Sequence, residues 1–257
     1  VLHPENANRA CDTEPLAQEG GTFRFDIRLG EQDHASTHHR SRRSHGAQGG
    51  GLVNAILADA SGGFRARALT RKPDGDTGRA LTRRGADVVQ ADLADPASLT
   101  KAFAGADALF CITNFWEHFS GEREQAQARA MAAAAKAAGV SHVVWSTLED
   151  TRKWVPLTDD RMPTLQGKHK VPHFDGKGDS DQFFRDAGVP PTFLLTSFYW
   201  EDFISFGAGP KPGPDGQVLL TLPMDDMPLS GSRWRISGMW RTPSSGRGSR
   251  SSARRWA

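Results

Sequence analysis

From residue 46 to about residue 229 the hydrophobic positions fall into two alternating patterns. Short β-branched or apolar runs at 65–70, 87–92, 108–113, 142–147 and 192–196 have the length of buried strands. Between them, residues 52–60, 74–84, 96–103, 121–138 and 179–187 place apolar side chains at helical spacing, and Gly139 stands where the longest helix should be capped. Strands and helices in alternation predict βαβ units around a parallel, doubly wound α/β sheet, with a small α/β lobe built from residues after about 150. A further strand at 217–222 precedes a Ser/Arg/Gly-rich tail of little periodicity, and no internal repeat is present. Residues 1–45 read differently. There only 22–29 alternates, with Phe23, Phe25, Ile27 and Leu29 on one face, as suits a half-exposed strand.

Composition changes this picture little. In 257 residues, 37% are hydrophobic and 24% charged, enough for one large domain or one domain with a small lobe. The formal charge of +2 hides an uneven distribution: from Ser232 onward there are seven arginines and no acid, which leaves 25 bases against 30 acids before it. Such a tail reads as disordered, and no direct nucleic-acid binding is expected from it. Two cysteines, Cys11 and Cys111, exclude a disulfide framework, and Cys111 lies in a predicted buried strand as a packed thiol. His34, His38 and His39 lack the Cys or acid that would complete a zinc set, so no metal is expected. The longest Ala-rich stretch is interrupted by Arg129 and Lys136, and Glu5, Arg9 and Asp12 do not suit a signal peptide; a soluble, cytoplasmic protein without a membrane partner is expected.

The informative chemistry starts at Gly46-Ala47-Gln48-Gly49-Gly50-Gly51, which leads directly into a helix. A glycine turn there lets backbone N–H groups and the helix dipole meet a phosphate, which marks Gly46, Ala47, Gln48 and Gly49 as candidates for a pyrophosphate. About twenty residues on, a strand ends at Arg71-Lys72. In a dinucleotide fold an acid at this place selects NAD, whereas a base accommodates the 2′-phosphate of NADP. The next strand ends at Asp92 and Leu93, placed to line an adenine, and the one after at Thr113, Asn114 and Phe115, where open α/β sheets bind ligands. Together these ends favour a Rossmann sheet with NADP(H).

In this order, Gly46-Ala47-Gln48-Gly49-Gly50, Ala68-Leu69-Thr70-Arg71 and Thr113-Asn114-Phe115-Trp116-Glu117 resemble the NmrA-like proteins, atypical members of the short-chain dehydrogenase superfamily. Val171-Pro172-His173-Phe174-Asp175-Gly176-Lys177-Gly178 and Phe183-Phe184-Arg185-Asp186-Ala187-Gly188-Val189-Pro190 are similar to the family's NADP(H)-sensing branch. The resemblance covers about residues 46–231. It implies an NADP(H)-binding Rossmann domain with a small C-terminal lobe, and a redox sensor or regulator that acts through protein partners, with room for a homo-oligomer. It also places Lys177 beside the nicotinamide ribose. The superfamily's catalytic pair is Tyr-x-x-x-Lys, in which the tyrosine supplies the proton. Here Lys177 has His173 four residues before it, Ser146 matches the serine position, and the sole tyrosine is Tyr199, outside the spacing. The alternative is therefore an NADPH-dependent reductase of a quinone or other carbonyl compound, with Lys177 and His173 in its proton path.

Both ends depart from the family pattern. A central parallel strand is buried on both faces, yet six of the eight residues 38–45 are His or Arg, costly to bury. Read one base later, permitted codons for 38–45 can spell Ile-Ile-Val-Leu-Val-Gly-Ala-Thr ahead of Gly46. Read one base earlier, those for 232–245 can spell an apolar residue and then Ala-Val-Glu-Asp-Ile-Gly-His-Val-Ala-His-Ala-Ile-Phe, similar to the family's lobe helix. The expectation is that 1–45 and 232–257 are disordered or out of frame, flanking a Rossmann core at 46–150 and remaining elements with the lobe at 151–231. The rival takes the chain as written, with 22–29 as first strand. It needs a loop of about sixteen residues where βα loops usually have about 2–6, so it is the less favoured account.

Overall fold

The computed structural model describes residues 23–28, 47–59, 64–196, 198–205, 209–222 and 228–232. Its centre is a six-stranded parallel sheet of β1 (Phe23–Arg28), β2 (Phe64–Thr70), β3 (Asp87–Gln90), β4 (Ala108–Cys111), β5 (His142–Thr147) and β6 (Pro191–Leu195), in the order β3-β2-β1-β4-β5-β6. Five helices accompany it: α1 (Ala47–Ala58), α2 (Asp76–Arg83), α3 (Pro96–Phe103), α4 (Gly121–Ala138) and α5 (Pro172–Asp186). The doubly wound Rossmann arrangement expected from the alternation is what forms.

The first strand corrects the sequence reading. β1 is drawn from the alternating segment at 22–29, the account judged less favoured, and it occupies the central place: Phe25 pairs with Ala66 of β2 on one side and with Ala108 of β4 on the other. Without a strand between them, β2 and β4 would each present an unpaired row of N–H and C=O groups. That demand outweighs the mismatch between a one-faced pattern and a two-faced site. Residues 38–45 lie outside the described residues, as do nearly all of 232–257.

Two cores flank the sheet. On one face Leu52 and Val53 of α1 and Leu81 of α2 meet Ala66, Ala68, Ala108, Phe110 and Val144. On the other, Leu99 and Phe103 of α3, Met131 and Ala135 of α4 and Phe184 of α5 cover Leu69, Leu109, Cys111, Val143 and Trp145. Neighbouring residues of β4 and β5 thus fill opposite faces, which is why these strands are continuous apolar runs. Cys111 is buried and in no disulfide, the packed thiol that was expected. Arg67 is tolerated in buried β2 because its guanidinium reaches the Asp87 carboxylate at 3.0 Å and the Ala102 carbonyl, near the α3 C-terminus, at 2.7 Å.

Local signals fix the helix ends. Asp95 caps α3 by accepting from the Ala97 and Ser98 amides, Ser120 caps α4 by accepting from Arg123, and Gly139 closes α4 in the left-handed region at φ 66°. α5 starts seven residues earlier than its periodicity predicts. Gly176 and Gly178 resemble helix breakers, but here they permit close approach: a Cβ on Gly178 would lie 3.0 Å from the Asp150 amide nitrogen. The extra turns put His173 and Lys177 on one helical face. After β6, the described lobe consists of β7 (Phe198–Tyr199) paired with β10 (Gly231–Ser232), the hairpin β8 (Lys211–Pro212) and β9 (Val218–Leu219), and the short α6 (Asp202–Ser205). The strand expected over 217–222 is only the two residues of β9. No helix among the described residues is long and apolar enough to cross a membrane.

Candidate functional site

The strand order reverses direction between β1 and β4, and a crevice at the carboxyl ends of strands forms at such a switch point. The polar side chains of the site meet along this edge. Lys177, from α5, sets its Nζ 2.6 Å from Thr113 Oγ1, 3.0 Å from Glu124 Oε1 and 3.4 Å from the Thr113 carbonyl, with the Trp145 ring 4.9 Å away. The Thr113 hydroxyl donates in turn to Glu124 Oε1 at 2.5 Å. Glu124 is completely buried. A carboxylate so placed is sustained by an ammonium and a hydroxyl at contact distance, since an unpaired buried charge is costly.

Behind Glu124, the buried His118 accepts from the Ser120 amide through Nδ1 at 3.1 Å. This bond assigns the neutral tautomer with its proton on Nε2, 3.6 Å from Glu124 Oε2. Burial lowers the pKa of His118 below 6.5.

A second chain of bonds joins three distant segments. Ser146, near the end of β5, donates to Gln48 Oε1 at 2.7 Å, and Gln48 Nε2 donates to the Tyr199 hydroxyl of β7. Burial pushes the Tyr199 phenol above its usual pKa. Gln48 is therefore turned to Ser146 and Tyr199. Gly49 falls inside the first turn of α1, while Gly46 lies outside the described residues and the side-chain surroundings of Ala47 are likewise undescribed.

His173 and Lys177 are brought together but face different surroundings. The His173 imidazole packs against Trp116 at 5.1 Å, Phe115 at 5.5 Å and Phe174 at 4.9 Å, and burial lowers its pKa, so it is neutral at pH 7. Phe115 is buried, whereas Trp116 and Phe119 are 48% and 60% exposed, which leaves two large rings facing outward. Phe119 holds φ 52°, a rare conformation for a bulky residue. Gln166 clamps this kink with one amide: Nε2 donates to the Phe119 carbonyl at 2.8 Å and Oε1 accepts from the Gly121 amide at 3.0 Å.

At the neighbouring strand ends, the Arg71 guanidinium lies 3.8 Å from Glu117 Oε1, and Asn114 Nδ2 donates to that same oxygen at 3.3 Å. Asp92 is exposed and caps its own turn by accepting from the Ala94 amide, but Leu93 is 5% exposed and belongs to the core. Sequence reasoning singled out Lys177, Thr113, Asn114 and His173 but missed Glu124, Glu117, Gln166 and the approach of Tyr199. The lone tyrosine was the available signal for the last of these; the Tyr-x-x-x-Lys spacing could not find a phenol delivered by another strand.

Four histidines share one titration behaviour. Burial lowers the pKa values of His118, His142, His169 and His173 from 6.5 in the folded chain. The unfolded chain takes up these protons first, so their contribution to stability is complete above 6.5 and declines as pH falls through 6.5 toward the folded values. Thermal unfolding followed from about pH 7.5 to about pH 5.5, above the range where ordinary carboxylates titrate, should show a falling midpoint. A flat midpoint there contradicts the burial of these rings.

Known proteins share this architecture. The NmrA-like oxidoreductase FrzB of Cladobotryum sp. is 30% identical over 182 residues, 68% of this chain and 52% of that one. The crystal structure of NmrA, a negative transcriptional regulator in complex with NAD, superposes with a TM-score of 0.63 at 22% identity, covering 84% of this chain and 59% of that one. Triphenylmethane reductase of Citrobacter sp., complexed with NADP(H), gives 0.52 at 21% identity over 71% and 52%. The two structural likenesses concern the fold. The chain spans about half the length of the curated relatives it matches. A match to the family model over residues 44–232 takes in both hydrogen-bonded clusters and most of the sheet, and on that ground the chain belongs to the NmrA-like family.

Proposed function

We propose that the chain binds NADP(H) along the carboxyl edge of its sheet and works as an NADP(H)-responsive regulatory protein through protein partners. The donor set suits such a ligand. A helix N-terminus, the Arg71 guanidinium, the Lys177 ammonium and the hydroxyls of Thr113 and Ser146 stand along the carboxyl edge of the sheet, chemistry that fits phosphates and ribose. Arg71 would hold the 2′-phosphate, the start of α1 the pyrophosphate, and Thr113, Asn114 and Lys177 the nicotinamide half. The bound nicotinamide would accept or supply a hydride.

The observation that carries the regulatory reading is the state of His173 and Lys177. Where the superfamily has its proton-donating tyrosine, this chain has a neutral imidazole packed among aromatic rings, and the lysine ammonium is taken by Thr113 and Glu124. Neither is arranged as a phenol–ammonium pair. The test is a fluorescence titration with NADPH together with an assay of NADPH consumption in the presence of quinones. Saturable binding without consumption is the expected outcome, and steady turnover would sink this reading. In the same titration Arg71→Ala should weaken NADPH at least about tenfold and NADH less than about twofold, since it removes one charge-assisted contact to a phosphate that NADH lacks.

A second reading, an NADPH-dependent carbonyl reductase, draws on one specific observation. The Tyr199 hydroxyl is linked to Ser146 through the Gln48 amide, so a phenol stands one side chain away from the superfamily's serine, reached along a different path through the chain. Turnover abolished by both Tyr199→Phe and Lys177→Ala would favour it.

A further inference from the structure

Arg71 follows β2 and Glu117 ends the turn after β4, and these strands are not neighbours: β1 lies between them. Their 3.8 Å ion pair therefore joins the segments that follow β2 and β4, on either side of the central strand at the carboxyl edge of the sheet. Glu117 is not a freely solvated acid, for its side chain is only 20% exposed and Asn114 Nδ2 holds the same Oε1 that faces Arg71. The Arg71 backbone is steadied by Gln90, whose Nε2 donates to its carbonyl at 3.3 Å, while its side chain keeps 43% exposure and can turn. One guanidinium thus has two anionic claimants, a resident carboxylate and any phosphate that arrives at the strand end.

We propose that Glu117 is a specificity-determining residue: its carboxylate competes with the 2′-phosphate of NADP(H) for Arg71, and that phosphate displaces it on binding. The inference rests on the NADP(H)-binding reading above. NADH carries no second claimant and leaves the Arg71–Glu117 pair in place. Glu117 shares its three-residue turn with Trp116, and the Gln166-clamped kink at Phe119 follows two residues later. Release of Glu117 therefore changes the anchoring of a segment that displays two large exposed rings. The presence of a single phosphate is reported at a surface, which is what a regulator of this kind needs.

The experiment is equilibrium titration of the wild-type chain and Glu117→Gln with NADPH and with NADH, read by tryptophan fluorescence and repeated by calorimetry. The amide keeps an oxygen for Asn114, so the turn is retained while the charge is lost. NADPH should bind the variant about three- to tenfold more tightly, the scale of one partly exposed ion pair together with a removed like charge, and NADH should change by less than about twofold. In an Arg71→Ala background the gain from Glu117→Gln should vanish, because the two residues act on one another. A change of equal size for both dinucleotides, a weaker NADPH complex, or a gain that survives without Arg71 overturns the inference and leaves NADP(H) binding standing. If the wild-type chain binds neither dinucleotide, the binding reading falls and takes the inference with it. Glu117→Asp, which shortens the acid without removing it, gives an independent reading: a smaller shift in the same direction supports the competition, and none opposes it.

Discussion

Phe25→Pro should abolish the cooperative unfolding transition of this chain. Phe25 sits at the middle of β1, paired in register with Ala66 of β2 and Ala108 of β4. Proline has no N–H for the ladder and is confined to strand starts, edges and bulges, so it has no acceptable place in a central strand. The direct cost is a lost ladder hydrogen bond and a fixed φ that the extended strand does not share. Disruption of β1 also leaves two facing edges unpaired at the centre of the sheet, and a domain of this kind has only about 5–15 kcal/mol in hand. Circular dichroism against temperature checks the outcome: a sharp transition for the parent chain and a broad, featureless loss of signal for the variant.

An unchanged transition would say that another segment holds the central place, and the shifted codon reading of residues 38–45 names the candidate. Sequencing the coding DNA across those codons separates the two accounts directly. Bases that encode Ile-Ile-Val-Leu-Val-Gly-Ala-Thr restore the strand that the family pattern requires; bases that encode the present residues leave β1 as the chain's own solution. The family match begins at residue 44 and ends at residue 232, close to the two places where the hydrophobic pattern breaks down.

How legible each part was depended on where its determining contacts lie. α3, α4 and β5 form over the residues expected, because an Asp-Pro start, a Ser cap, a left-handed Gly stop and a continuous apolar run are local signals. The N-terminal half of α5 was hidden by Gly176 and Gly178, whose places are explained only once Gly121 and Glu124 of α4 are seen against the first and Asp150 against the second. β1 was misjudged because its own alternation describes its residues, whereas its position is dictated by the two strands that need a neighbour. In the site, Lys177 and Thr113 could be named from motifs. Glu124 could not: an acid in the first turn of a helix ordinarily faces water and favours the helix dipole. It is buried here because Lys177 and Thr113 arrive from two other elements. The link from Gln48 to Tyr199 joins residues 151 apart in sequence and left no local trace.

That buried acid sets the second large effect. Lys177→Met keeps the length and apolar stem of the side chain but removes the cation 3.0 Å from Glu124, leaving a fully buried carboxylate with the Thr113 hydroxyl as its remaining close donor. Breaking a buried pair by deleting one partner costs about 3–5 kcal/mol, far more than the pair itself contributes, because the surviving charge is neither solvated nor compensated. Lys177→Met alone should therefore lose about that much stability in urea unfolding at pH 7, a large share of the total. Glu124→Gln alone should also destabilise, since it strands the ammonium. The double variant removes both charges and leaves a neutral amide that can still accept from Thr113, so it should be more stable than Lys177→Met by about 2 kcal/mol or more, within the range of coupling energies for residues in direct contact. NADPH binding separates this structural role from the ligand role. If Lys177 holds the ribose, the double variant regains stability but not affinity. Recovery of both would assign Lys177 to Glu124 alone, and additive losses of stability in the double variant would mean that the two charges do not depend on one another.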